Sequence, residues 1–287
     1  MGCSMIRLDD PVKWSAMSDE AAVRVLRAPE LAEYEAMPRE AKTARWEDLL
    51  CRPIDAFTML NEVFFRARWE QVLRWQRTQS RNPDAAPVLL EIASGDADMI
   101  PQMMARVFPG SRYVTANMNR ALTESLMGRT AGLPLTMQVI EEDAAYLADK
   151  LGENSVDVVA FQHGANDVLQ AILCERDGID TVYADWMAVL PDMIRILRHE
   201  VAEGTLEQSV KAPFLGLLRT LSSLVRSDGV IAINHYMFQL DLDWGYPPEL
   251  FERLIPMIRS WLPDCAGLRE TLIQGFHPNW WLFLRKA

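Results

Sequence analysis

The residues best placed to do chemistry stand where apolar runs stop. Val156-Asp157-Val158-Val159-Ala160-Phe161 leads straight into Gln162-His163-Gly164-Ala165-Asn166-Asp167. An imidazole can carry a proton near neutral pH. A neighbouring carboxylate can orient it, accept a proton itself or hold an ammonium group, and an amide can fix a polar partner. His163, Asp167 and Asn166 are therefore the candidate catalytic set. His235 and Tyr236 follow another apolar run, Val230-Ile231-Ala232-Ile233, and are secondary candidates. A third run ends in Leu90-Glu91-Ile92-Ala93-Ser94-Gly95-Asp96-Ala97, an acid followed by small residues. Small residues let a chain turn tightly and let a ligand approach its backbone. Thr115-Ala116-Asn117-Met118-Asn119 and Val139-Ile140-Glu141-Glu142-Asp143-Ala144 repeat the pattern at even intervals, 117 − 91 = 26 and 143 − 117 = 26.

These run ends can cooperate only if a sheet brings them to one edge. Val88–Ile92, Tyr113–Ala116, Leu135–Ile140, Val156–Phe161, Val230–Ile233 and Trp280–Leu284 read as short strands, with helical patterns between most of them. Such alternation predicts a parallel sheet with helices on both faces, and ligands then bind at the carboxyl ends of the strands. Residues 1–82 read as a helical cap, best marked by an amphipathic stretch from Ile54 to Arg77, with Ser80–Asp84 as a linker. The remainder, 87–287, reads as the α/β domain. Within it the stretch of about 174–212 exceeds a simple crossover and reads as a helical insert.

Composition narrows the partners. The chain has 287 residues and a net charge of −11, with no run of lysine or arginine, which argues against nucleic acid. Cys3, Cys51, Cys174 and Cys265 lie far apart, so neither a zinc site nor a disulfide framework is indicated. No apolar run reaches membrane-spanning length, and Met1–Asp10 lacks a signal core. A cytoplasmic protein with a small-molecule partner is expected. The apolar faces of the helices in 1–82 add the expectation of a homodimer.

The turn from Glu91 to Ala97 resembles that of class I S-adenosylmethionine-dependent methyltransferases, which reads acid-x-Gly-x-Gly-x-Gly. Glu91 and Gly95 match it, while Ala93 and Ala97 replace the outer glycines. The resemblance runs in order through 87–287. It implies a Rossmann-like, seven-stranded, mainly parallel sheet whose last strand is antiparallel. It also implies S-adenosylmethionine as cofactor, lying over Ala93, Ser94 and Gly95 with Glu91 near its amino-acid end. Asn117 takes the ribose position, where the family has an acid, with Met118 beside it. Asp143 would meet the adenine amino group, Ala144 would lie beside the ring, and Gln162 closes the set. The implied activity is methylation of a small molecule, as in secondary metabolism. The polar cluster Gln162–Asp167 and the turn Asn117-Met118-Asn119 also resemble azetidine-2-carboxylate synthases. There the cofactor's own amine closes on its aminocarboxypropyl arm and methylthioadenosine leaves. A third reading is a non-catalytic cofactor-binding or scaffold protein. His163-Gly164-Ala165-Asn166 departs from the Asn/Asp-Pro-Pro-aromatic turn of enzymes that methylate nucleic-acid amines. No acid cluster for a catalytic metal can be assigned.

Overall fold

A computed structural model describes residues 11–51, 59–141, 147–236 and 238–287. The chain begins with helices α1 (Pro11–Val25), α2 (Ala28–Ala36), α3 (Arg39–Cys51) and α4 (Met59–Gln79). Strand and helix then alternate: β1 (Val88–Ile92), α5 (Met99–Val107), β2 (Arg112–Ala116), α6 (Arg120–Thr130), β3 (Thr136–Ile140), α7 (Leu147–Leu151) and β4 (Val156–Gln162). Three helices follow, α8 (Gly164–Asp177), α9 (Trp186–Glu203) and α10 (Leu206–Leu224), before β5 (Val225–Asn234). The chain closes with α11 (Gln239–Trp244), α12 (Pro248–Trp261), β6 (Leu268–Thr271) and β7 (Trp281–Lys286).

The strands form one seven-stranded sheet in the order β3-β2-β1-β4-β5-β7-β6. β1 to β5 are parallel, and β7 runs antiparallel to both β5 and β6. This is the sheet that the resemblance implies, and the six apolar runs form all of its strands but β6. The central runs form strands because both of their faces are covered, so an unbroken apolar sequence is what they need. All seven residues of β4 are buried. Its side chains alternate between faces. Phe161 lies 6.4 Å from the Phe214 ring of α10, while the next residue, Gln162, takes a hydrogen bond from Trp69 of α4. Helices α10 and α4 therefore cover opposite faces.

The N-terminal helices belong to that packing. Trp14 of α1 meets Trp46 of α3 at 5.4 Å and Phe64 of α4 at 5.1 Å, both edge-on. Phe65 continues the cluster to Tyr236 just beyond β5, at 4.8 Å. Arg66, 3 % exposed, is paired with Glu30 and Glu62, which offsets the cost of burying its charge. These contacts cover part of the apolar faces of the front helices, while Met17 and Val23 of α1 stay exposed. Residues 54–58 of the expected helix lie outside the described residues.

At the foot of the sheet, Asp157 is 4 % exposed yet fully used. It accepts a hydrogen bond from the Val88 amide and pairs with Arg226 at 2.5 Å, so it ties the starts of β1 and β5 to β4. Here β5 spends five residues (230 − 225) where β4 spends two (158 − 156), a bulge that lets Gly229 ride over β4. A Cβ on Gly229 would lie 2.7 Å from the Asp157 carbonyl oxygen and 2.8 Å from Val225 Cγ1. Overpacking of this kind costs about 1–3 kcal/mol. Gly229→Ala should lower unfolding stability by about 2 kcal/mol in urea titration with an unchanged slope. A loss under about 0.5 kcal/mol would mean that the bulge is free to open.

Candidate functional site

The strand order reverses direction between β1 and β4, which is where an open α/β sheet parts to receive a ligand. The turns after these two strands touch. A Cβ on Gly164 would lie 2.6 Å from the Ile92 carbonyl oxygen and 3.4 Å from Ala93 Cβ, so only glycine fits there. Two non-glycine residues flank this contact in the left-handed region, Ala93 at φ 55° and His163 at φ 62°. Each costs about 1–2 kcal/mol over a relaxed backbone, and such strain gathers at functional sites. Ala93 thus keeps a glycine conformation without the glycine. Gly95, at φ 58°, completes the turn.

Above the turns lies a cavity of about 800 Å³, within the range of about 300–1,000 Å³ usual for small-molecule sites. Its floor is Ala93, Gly95, Asn117 and Met118. One wall is the face of α8 that carries Asp167, Ala171 and Glu175. The opposite wall comes from 179–182, Trp186, and Pro213 to Thr220 of α10. Among the described residues its charged lining is Asp167, Glu175 and Asp180, with no lysine, arginine or histidine. Residues of α4 do not line it; the covering comes from the segment between β4 and β5.

The structure brings together some of the sequence-nominated residues and separates others. Asn117 donates its amide to the Gly95 carbonyl at 2.7 Å, which holds the turn and leaves Oδ1 for a ligand hydroxyl. Ser94 sits beneath the floor, its hydroxyl 2.7 Å from that of Thr115. Glu91 is 1 % exposed, accepts a hydrogen bond from the Tyr113 hydroxyl at 2.7 Å and is absent from the cavity wall. Burial pushes its carboxyl up to about 8. Gln162 is also turned away: its Oε1 accepts from Trp69 Nε1 and Asn234 Nδ2. Asp143 and Ala144 lie outside the described residues.

The β4 end separates the catalytic candidates. Asp167 reaches the cavity, and burial together with the charge of Asp241 pushes it up to about 7. Asn166 does not line the cavity; it is 2 % exposed and within reach of Tyr246, which also lies beside Asp167 and Asp241. His163 is not on the cavity wall. Its ring stacks on His235 at 4.6 Å, and His235 stacks on Phe251 at 4.9 Å. Burial pulls His163 down to about 4 and His235 well below its usual range, so both are neutral at pH 7. His163 Nε2 lies 3.6 Å from the carboxylate of Asp241, itself pushed up to about 7 by burial. Burial thus brings the carboxyls of Asp167 and Asp241, rather than the imidazoles, into the range of neutral pH.

Sequence reasoning missed Asp241 and Tyr246, which sit on and just after a six-residue helix with no readable pattern. It also passed over Asn119. That side chain caps α6 by accepting from the Leu122 amide and donates to the carbonyls of Thr181 and Ala184, more than 60 residues on. It fastens the cavity's outer wall to its floor. The signal was present, since Asn before a helical run is an N-cap, but its second task is tertiary.

No family model matches the chain, and no curated protein sequence matches it. Several solved structures share its architecture. The O-methyltransferase TomG of Streptomyces achromogenes, involved in tomaymycin synthesis and solved with S-adenosylmethionine, aligns over 97 % of this chain and 99 % of its own, at 14 % identity and TM-score 0.47. The Podospora anserina methyltransferase PaMTH1, bound to S-adenosylhomocysteine, aligns over 100 % of both chains, at 10 % identity and TM-score 0.46. An S-adenosylmethionine-dependent methyltransferase from Aquifex aeolicus aligns over 96 % of both, at 12 % identity and TM-score 0.43. The fold itself rests on the strand order and register above: the chain is a Rossmann-like, seven-stranded α/β protein with β7 reversed.

Proposed function

We propose that the chain binds S-adenosylmethionine in the cavity over the Gly95 turn and transfers its methyl group to a small molecule. The observation that carries this reading is the charge of the cavity: among the described residues, three carboxylates and no base line a pocket built on a glycine turn. A nicotinamide dinucleotide or nucleoside triphosphate brings phosphates, which such a lining repels. A sulfonium nucleoside brings a positive charge, which it attracts.

The residues fit the group in kind as well as in charge. The left-handed Gly95 leaves the backbone open where a side chain would fill the floor. Asn117 Oδ1 suits a ribose hydroxyl. Ile172, Ile179, Trp186 and Leu217 supply apolar surface for a heterocycle. Met118 flanks the same floor. The bound sulfonium would supply an electrophilic methyl carbon. What the protein adds is placement, exclusion of water by the α8–α10 walls, and a carboxylate at Asp167 able to take the proton an acceptor must lose. The walls enclose the site, which favours a small acceptor over a polymer.

Incubation with S-adenosylmethionine alone should yield no product beyond background, and S-adenosylhomocysteine should appear once an acceptor is added. Methylthioadenosine released without acceptor would replace this reading with the arm-directed cyclase. Neither product, with binding intact, would leave a silent binding protein. Calorimetry should show S-adenosylmethionine binding that Gly95→Val weakens at least 100-fold; unchanged affinity would overturn the placement.

The acids give a pH signature. Asp167 and Asp241 keep protons in the folded chain up to about pH 7, whereas the ordinary value of a free aspartate is 3.8. The folded state therefore holds more protons between those limits, and stability falls as pH rises through that window. Asp167→Asn should raise the melting temperature by roughly 3 °C or more at pH 8 and leave it unchanged at pH 4. In the wild type, kcat/KM should fall below about pH 7 as the base becomes protonated. A profile flat from pH 5 to 8 would remove Asp167 as the base.

A further inference from the structure

Behind Asp167, at the ends of β4 and β5, lies a cluster of buried side chains that is rich in acceptors and poor in donors. Asp241 accepts the Phe238 amide with one oxygen, while its Oδ2 has no hydrogen-bond partner; the nearest charged candidate, His163 Nε2, is 3.6 Å away on a neutral ring. Asn166, 2 % exposed, leaves its Oδ1 unpartnered. His163 Nδ1 and both nitrogens of His235, a residue with no exposed surface, are unpartnered as well. The Tyr246 hydroxyl, beside both acids, already donates to Gln170. Among the described residues no lysine or arginine pairs with Asp167 or Asp241. Buried polar groups without partners are costly, and two desolvated carboxylates without a cation are more so. Rings pack around the cluster: Phe238 stands edge-on to His163 at 4.9 Å, and Tyr246 meets Phe251 at 5.8 Å. Carboxylates, lone acceptors and aromatic walls are complementary to an ammonium ion.

We propose that the methyl acceptor is a small primary or secondary amine, which enters as its ammonium ion and is held by Asp167, Asp241 and the Asn166 carbonyl. This rests on the transferase reading above. The ammonium gives a proton to an aspartate carboxylate. The freed nitrogen pair forms the new N–C bond to the methyl carbon, the C–S bond breaks with its electrons going to sulfur, and the product departs as the methylated ammonium.

The test is equilibrium binding to protein saturated with S-adenosylhomocysteine, which cannot react. The probes are a panel of aliphatic and arylalkyl amines, each paired with the alcohol of the same carbon skeleton. Amines should bind at least ten-fold tighter than their alcohols, and Asp241→Asn should reduce that preference to within two-fold. Folding is not at risk in this variant, because it removes a buried unpaired charge. Alcohols that bind as well as amines overturn the proposal, as do a preference that survives Asp241→Asn or a panel in which no amine binds. Methylthioadenosine released from S-adenosylmethionine alone, and lost in Asp241→Asn, also overturns it, since the ammonium would then be the cofactor's own. Failure to bind S-adenosylhomocysteine at all sinks the transferase reading itself and is seen before any amine is added.

Discussion

The architecture turns on one close approach, Gly164 against the carbonyl of Ile92. β1 and β4 are neighbours in the sheet, but their following helices leave in different directions, so their first turns must pass at van der Waals distance. A hydrogen at Gly164 permits this and a methyl does not. Ala93 and His163 accept left-handed backbones on either side of the contact. That geometry delivers Asp167 to the cavity and turns the His163 ring toward His235. The floor, the acid on its wall and the buried ring stack all follow from where these two turns meet.

Electrostatics then divide the labour. Among the described residues the cavity lining carries carboxylates without bases, and behind it the Asp241 carboxyl lies beside a neutral imidazole. In water such acids would ionise well below neutrality. Burial holds Asp167 and Asp241 near neutrality, where small changes in surroundings decide whether each is charged. Two histidines that might have served as bases are instead desolvated into weak ones. The buried imidazoles stack on one another and on Phe251, while the two carboxyls are the groups shifted to near neutral pH.

The fold was legible because its central strands are buried on both faces. Val88–Ile92 and Val156–Gln162 could be read as apolar runs without any alternation to interpret. The floor was legible for a related reason, since Ala93, Gly95, Asn117 and Met118 directly follow their strands. The rest of the site was obscured by the pleat. Glu91 and Gln162 are as close to strand ends as the floor residues, yet alternation sends one to Tyr113 and the other to Trp69. Nothing in a one-dimensional reading says which polar neighbour faces the ligand. Asp241 and Tyr246 were beyond reach because their position depends on how a helix of six residues docks, and so short a segment carries no periodicity.

The bond between Trp69 and Gln162 bears on how such a protein can change over generations. The polar stretch at 80–84 looks like a seam at which a front segment could be exchanged for another. Yet the indole of α4 donates into the top of β4, the same Gln162 oxygen is shared with Asn234, and Asn234 in turn holds the His163 amide at 2.9 Å. A replacement segment would have to bring its own donor to that spot or leave the buried Gln162 oxygen with Asn234 alone, beside the cavity end of the sheet. The front helices are therefore not a portable module. An exchange at the apparent seam would have to restore that donor together with the aromatic packing of Phe64 and Phe65 on Tyr236.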